Sequence, residues 1–194
     1  MYSSEYLAQC SEHAAQLLSQ KLKNDPSSFK AYHWDSDFSH DPNWSVVPLY
    51  LNYEWCNREM HTFRHPLASL GKGLFVEALN NSAKDKFPLA LACLNEFISS
   101  NDINYIGVSL LPPHTVLHPH KHVNPGNLKL HASVQVSHSC GLTYSDGLNT
   151  YQHYWSSSPS SVYFDDNFTH SAWNNSSENR YVLILDFRKN LLTY

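Results

Sequence analysis

Four histidines lie within the stretch LHPHKHVNPGNLKLHASVQV, residues 117–136. His118, His120 and His122 alternate along the chain, so in an extended segment all three would project from one face of a strand. Imidazole is a common ligand of iron, zinc and copper. The spacing therefore indicates a metal site, although histidines at a solvated surface or at the edge of a core could show the same spacing.

Further candidate ligands are distant in sequence. His131 lies in the β-like run that follows, and His170 lies in the stretch FDDNFTHSAW. Such distances are usual in a jelly roll, because Greek-key connections bring remote strands together at one mouth of the barrel. A metal site built from these histidines thus requires a β fold.

The second half of the sequence has the pattern of such a fold. From residue 103 onward, apolar runs alternate with clusters of Gly, Pro, Asn and Ser, which predicts a β sandwich or barrel. The runs are INYIGVSLL, LKLHASVQV, SVYF and RYVLILDF.

The first half has helical periodicity instead. It predicts a helix over residues 4–24 with Ser4 as the N-cap, and a second helix over residues 82–100 with Ser82 as the N-cap. Between them, the segment WSVVPLYLNYEW predicts a strand pair or an edge strand that Pro48 interrupts. Its aromatic residues are candidates for a substrate-facing wall: Trp44, Tyr50, Tyr53 and Trp55.

Composition narrows the possible functions. The chain has 194 residues, 42% of them hydrophobic, and a formal net charge of -4 at pH 7, which fits a single domain over residues 1–194. Lys and Arg are scattered, so nucleic acid is not an expected partner. No apolar run is long enough to span a membrane and no signal peptide is evident, so neither a membrane nor a secreted location is expected and we predict a cytoplasmic protein.

Two groups of spaced residues carry a family resemblance. In the first, His120 follows Ser109 by eleven residues, and Lys129 and His131 close the run GNLKLH. The second group comprises FDDNFTHSAW and NRYVLILDF, with Asp165, Asp166, Phe168, His170, Trp173 and Arg180. Over about residues 85–190 the sequence resembles the aspartyl/asparaginyl β-hydroxylase family of Fe(II)- and 2-oxoglutarate-dependent oxygenases.

The resemblance implies a mainly β protein with flanking helices and a double-stranded β-helix core of the jelly-roll, cupin-like type. Residues 101–190 would form this core with the metal site, and residues 1–100 would pack on it as a helical and β front part. His120 and His170 would be the metal ligands. The cosubstrate 2-oxoglutarate would be decarboxylated to succinate while an amino-acid or peptide side chain, similar to Asp, Asn or proline, is hydroxylated.

The resemblance also assigns the ends of the cosubstrate. Arg180 would bind the C5 carboxylate, because a guanidinium pairs bidentately with a carboxylate, and Ser109 would add a hydroxyl hydrogen bond. Lys129 and His131, alternating residues of one strand, would hold the C1 end. No catalytic group beyond the metal and cosubstrate ligands is required, since the metal and the cosubstrate carry the difficult step.

Two positions depart from the family pattern, and they leave alternatives. Lys129 stands where the family often has Arg. His122 stands where the family commonly has Gly. We expect it to lie next to the metal ligands or to face the substrate, and the alternative is that it is a third ligand. The other functions considered are a non-catalytic, cupin-like metal- or metabolite-binding protein and a three-histidine zinc hydrolase, in which Asp165 or Asp166 would serve as the base.

Overall fold

The coordinates are a computed structural model, which describes residues 1–33, 44–54, 56, 70–122, 126–155 and 159–193. Within these residues the helices are α1 (Ser4–Asn24), α2 (Lys72–Lys86) and α3 (Pro88–Ser99). The strands are β1 (Tyr2–Ser3), β2 (Tyr32–His33), β3 (Ser45–Leu51), β4 (Ile103–Leu111), β5 (Thr115–His120), β6 (Asn127–Gln135), β7 (Cys140–Ser145), β8 (Thr150–Tyr154), β9 (Ser161–Asp165), β10 (Thr169–Asn174), β11 (Arg180–Arg188) and β12 (Leu192–Thr193). Short 3₁₀ helices cover Pro26–Ser28 and Lys189–Leu191.

Two antiparallel sheets form the core. The larger sheet has the strand order β2-β3-β4-β11-β6-β9, and the smaller has the order β5-β10-β7-β8. Most neighbouring strands are not consecutive in sequence, such as β4 beside β11 and β5 beside β10, which is the mark of Greek-key connections. Buried residues of both sheets pack together between them, among them Leu111, Leu142 and Ala172. The fold is therefore mainly β with flanking helices around a jelly-roll, cupin-like core, which confirms the predicted fold class.

Strand alternation divides the larger sheet into two faces. Leu183, Leu185 and Phe187 of β11 pack in one apolar cluster with residues of α1 and α3. Val182 of the same strand instead packs with Cys140 on the opposite sheet. Because side chains alternate along a strand, the even-numbered residues of β11 face the space between the sheets. That inter-sheet space holds the candidate site.

Two details differ from the sequence expectation. The cap of α1 is Ser3, whose hydroxyl accepts the N–H of Tyr6, one residue before the predicted Ser4. The helix predicted to begin at Ser82 is two helices, and Ser82 lies inside α2. Pro88 begins α3, because proline lacks an N–H and is tolerated only in the first turn of a helix.

The strand with Pro48 is continuous over Ser45–Leu51. Its register against β4 shifts between Pro48 and Tyr50, which accommodates the residue without an N–H. On its other side, β2 pairs with Ser45 and Val46, so among the described residues Pro48 lies at an edge of the sheet. In the described part of the chain, no helix has both the length and the apolar character needed to cross a membrane.

Candidate metal centre and cosubstrate pocket

Three histidines meet at the open end of the inter-sheet space. His120 at the end of β5 lies directly opposite His170 on β10, and His122 follows two residues after His120. One ligand atom from each of the three imidazoles lies within 4.8 Å of the others. The fold thus brings His170 next to His120, as expected for a jelly roll. It also places His122 beside these two histidines.

Main-chain carbonyls orient two of these rings. The Nδ1 of His120 lies 2.8 Å from the carbonyl oxygen of His118, and the Nδ1 of His170 lies 2.9 Å from that of Phe168. A carbonyl only accepts, so each Nδ1–H donates and each Nε2 keeps its lone pair. This is the arrangement that protein metal sites use to fix an imidazole ligand.

Burial also keeps the three imidazoles neutral. It is the main cause that lowers the pKa of His120, that lowers the pKa of His122 to about 3, and that holds the pKa of His170 well below its usual value. A histidine binds a metal only in its neutral form, so no proton has to be displaced near neutral pH.

His118 does not share the face of His120, contrary to the expectation from spacing. The pairing of β10 with β5 changes register between His170 and Ala172, and beyond the shift Ala172 pairs with Leu117. Leu117 is buried and His118 is exposed. The irregularity adds a residue between Leu117 and His120, which reverses the alternation that the sequence predicted.

Lys129 lies beside the histidines in a buried ionic group. Its ammonium is 3.0 Å from Asp166 Oδ1 and 3.1 Å from Asp186 Oδ2. Asn104 Nδ2 donates a further bond of 2.8 Å to Asp186. Burial alone would lower the pKa of Lys129, but the two carboxylates outweigh it and raise the pKa. The cation expected at the C1 end of the cosubstrate is thus held by two carboxylates of the protein.

Both candidate bases for a zinc hydrolase are engaged by lysines. Asp166 is fully buried against Lys129, and Asp165 forms an ion pair with Lys189 that also lowers the pKa of Asp165 against the opposing effect of burial. A carboxylate held by an ammonium is a weaker proton acceptor. The arrangement therefore disfavours the three-histidine zinc hydrolase.

The cation Arg180 lies deeper between the sheets. Arg180 is the first residue of β11. Its side chain is buried, and its Nε and Nη2 have no hydrogen-bond partner among the described residues. Burial lowers its pKa to about 10, which still leaves it charged at neutral pH. A buried cation without a protein counter-ion is costly, so this group is suited to an anionic ligand.

Ser109 and His131 lie on the strands that flank β11. Ser109 is buried opposite Val182, and its Oγ accepts the indole N–H of Trp44 at 2.9 Å. His131 is buried opposite Ile184, and neither of its ring nitrogens has a partner within the described part of the chain. Both side chains share the inter-sheet face with Arg180, so the structure brings the predicted cosubstrate residues to one space.

Aromatic rings connect these parts. Phe164 lies 5.3 Å from the ring of His131 and 5.1 Å from that of His170, and it stacks on Tyr144 at 5.2 Å. The sequence did not single out these two aromatics or the strand β7 that carries Tyr144. In β7 and β8 polar residues interrupt the apolar ones, so neither strand has an apolar run from which it could be predicted.

The predicted aromatic wall is only partly at the site. Trp44 reaches Ser109, whereas Tyr53 is exposed and Tyr50 packs against the apolar cluster beneath the helices. Trp55 lies outside the described residues. Trp44 is therefore the member of that group with a contact to the inter-sheet space.

A family model described as aspartyl/asparaginyl beta-hydroxylase matches residues 7–190. Among curated proteins, none matches the chain in sequence.

Several solved structures are similar over part of the chain. The capsular polysaccharide assembling protein CapF of Staphylococcus aureus is 14% identical over 45% of this chain, with a TM-score of 0.38. A predicted oxalate decarboxylase of Thermotoga maritima is 14% identical over 48% of this chain, with a TM-score of 0.33. A cupin domain of a transcriptional regulator of Enterobacter cloacae is 17% identical over 43% of this chain, with a TM-score of 0.31. The matched regions span 23%, 73% and 79% of those chains, respectively.

Proposed function

The chain belongs to the aspartyl/asparaginyl β-hydroxylase family, and from this premise we propose that it is an Fe(II)- and 2-oxoglutarate-dependent dioxygenase. The reaction would hydroxylate a side chain of an amino acid or peptide. One observation carries the proposal: the buried guanidinium of Arg180, without a counter-ion in the described chain, shares the inter-sheet space with three neutral imidazoles. This pairing of a metal-ligand group with a separate anion site suits a cosubstrate that is both a chelator and a carboxylate.

His120 and His170 would hold the iron, and His122, expected from the sequence to lie beside them, would be a third ligand because its imidazole is within reach of the same point. Iron bound by three imidazoles would remain accessible to a chelating cosubstrate and to O₂. The bound iron would supply the oxidative decarboxylation of 2-oxoglutarate and the oxygen transfer to an unactivated C–H bond. The carbonyls that accept from His120 and His170 occupy both Nδ1 atoms and leave both Nε2 atoms available as ligand atoms.

Arg180 and Ser109 would bind the C5 carboxylate of the cosubstrate. The guanidinium offers its Nε–H and Nη2 groups, and the Ser109 hydroxyl, which accepts from Trp44, can donate its own hydrogen. The dry environment strengthens these bonds relative to water.

His131 and Lys129 would serve the C1 end. Neutral His131 can donate one N–H, and burial holds its pKa well below the usual value. An ammonium has three N–H groups, and two carboxylates engage that of Lys129, which leaves one donor for the cosubstrate. Since Asp166 and Asp186 already offset its charge, we assign most of the C1 interaction to the metal and to His131.

The proposal is tested by turnover without a prime substrate. Purified protein with Fe(II), ascorbate and O₂ should convert 2-oxoglutarate to succinate slowly, and the His170→Ala variant should not. Addition of peptides and free amino acids should then reveal a product heavier by one oxygen atom. A wild-type protein that binds iron and yields no succinate would support the cupin-like metal-binding alternative instead.

A further inference from the structure

An unpaired indole lies next to Arg180 at the closed end of the inter-sheet space. Trp155 follows β8 directly and is 0% exposed, and its Nε1–H has no hydrogen-bond partner among the residues that the structure describes. A buried indole N–H usually has a partner, because leaving the donor unmade costs about 1–3 kcal/mol. The cost indicates a group that the protein alone does not supply.

Two further unpaired groups border the same indole. The Arg180 Cζ lies 5.7 Å from the centre of the Trp155 ring, and the His153 ring lies 4.4 Å from it at an angle of 79°. The Nε2 of His153 also lacks a partner in the described chain. Two N–H···O bonds of about 2.9 Å on one acceptor group can span such a separation. The guanidinium thus lies over the indole ring and His153 meets that ring nearly at right angles, so three side chains with unpaired nitrogens lie together.

Two other described neighbours of Trp155 are apolar or already bonded. Cys140 and Val182 form a buried cluster with Trp155. The thiol of Cys140 donates to Asn174 Oδ1 at 3.0 Å. Arg180 therefore carries the charge here, and a ligand at this place has to bring the acceptors.

We propose that Trp155, supported by His153, is a specificity-determining residue of the cosubstrate pocket, and that it selects 2-oxo acids with a second carboxylate. The inference rests on the proposed function, because it assigns the carboxylate to 2-oxoglutarate. A carboxylate offers about four acceptor positions, of which Arg180 in a bidentate contact uses two. Ser109 takes a third position, and the fourth is left to the indole N–H, with His153 as a second donor beside it.

Selectivity follows from the penalty for a ligand without that carboxylate. A monocarboxylic 2-oxo acid of equal length would leave the guanidinium and the indole N–H buried without acceptors. Sites built from buried polar groups reject analogues that lack the matching group much more strongly than apolar pockets do. Trp155 is fully buried, so its N–H is held in place before the ligand binds.

The test uses Trp155→Phe, which keeps an aromatic ring and removes the N–H. Calorimetric titrations of the Mn(II)-loaded protein without O₂ would compare 2-oxoglutarate with 2-oxopentanoate, which has the same carbon chain and no second carboxylate. We expect Trp155→Phe to weaken 2-oxoglutarate binding about tenfold or more, as for a hydrogen bond to a charged group. Binding of 2-oxopentanoate should be unchanged. Trp173→Phe, on the outer strand face beside Gly141, is the matched control and should bind both acids like the wild type.

The outcomes separate the inference from the proposed function. Unchanged 2-oxoglutarate affinity, or an equal loss for both acids, would overturn the role of Trp155 and leave the oxygenase proposal standing. If 2-oxoglutarate failed to bind while glutarate bound and Trp155→Phe weakened it, the pocket would stand and the proposed cosubstrate would be wrong. Should Trp155→Phe not fold, His153→Phe decides the case, with a smaller loss confined to the dicarboxylates.

Discussion

The two ends of the inter-sheet space differ in whether the protein itself supplies hydrogen-bond partners for their polar groups. At the metal end, carbonyls hold His120 and His170, and two carboxylates hold Lys129. At the closed end, Arg180 and Trp155 have buried nitrogen atoms without partners among the described residues. A protein completes its own hydrogen bonds where it must be rigid before binding, and leaves them open where a ligand will complete them.

The largest expected effect is at the metal end. His170→Ala should abolish metal binding, since the ligand is buried and directed by the Phe168 carbonyl, and His120→Ala should do the same. Calorimetric titration with Mn(II) measures the loss. His118→Ala is the matched control, because His118 is exposed on the same strand as His120. Undiminished binding in either ligand variant would remove that residue from the site.

The next effect is at the closed end. Arg180→Met should weaken 2-oxoglutarate binding by about 3–5 kcal/mol, the scale for a broken buried charge pair, while metal binding stays as in the wild type. The control is Arg188→Met at the other end of the same strand, where the guanidinium lies at the surface near Glu54. Equal losses of 2-oxoglutarate affinity in the two variants would mean that Arg180 acts only through the net charge of the protein and does not contact the carboxylate.

The third prediction concerns Lys129, whose ammonium is already paired with two carboxylates of the protein. Lys129→Met would leave Asp166 and Asp186 buried without their cation, so the free energy of unfolding should fall by about 3 kcal/mol in urea denaturation. Cosubstrate affinity should fall less than in Arg180→Met. Lys189→Met breaks a more exposed ion pair and should cost about 0–1 kcal/mol. A stable Lys129→Met protein with no 2-oxoglutarate affinity would make Lys129 the main anchor.

The smallest effect concerns His122. His122→Gly should weaken Mn(II) binding by about tenfold, or about 1.4 kcal/mol, because His120 and His170 would still hold the ion. Calorimetric titration beside His170→Ala measures the difference. Wild-type affinity would show that His122 is not a ligand. A complete loss would indicate an obligatory three-histidine site.

Much of the fold followed from local patterns in the sequence. Strand β4 has the predicted bounds, and β11 is longer by one residue, since both are apolar runs buried on two faces. Strands β7 and β8 were missed, because they are short and rich in polar residues. The boundary at Pro88 was missed because two consecutive helices share one apolar period.

The site was predictable in its members more than in its contacts. Spaced motifs identified His120, His170 and Arg180 as candidates, but spacing cannot show a register shift such as the one that turns His118 outward. Nor can it show that Lys129 meets Asp186, since that pair joins residues 57 positions apart across neighbouring strands. Trp155 carried no motif at all, and its unpaired N–H is visible only in three dimensions.

The central claim is that one cosubstrate joins the two ends, bound to the metal and to Arg180 together. An anaerobic titration of 2-oxoglutarate into the Fe(II)-loaded protein tests it through the visible charge-transfer absorption of a chelated 2-oxo acid. We predict a saturable band at one equivalent, absent in His170→Ala and shifted to much higher concentration in Arg180→Met. An Fe(II)-loaded protein that develops no band with 2-oxoglutarate would contradict the account.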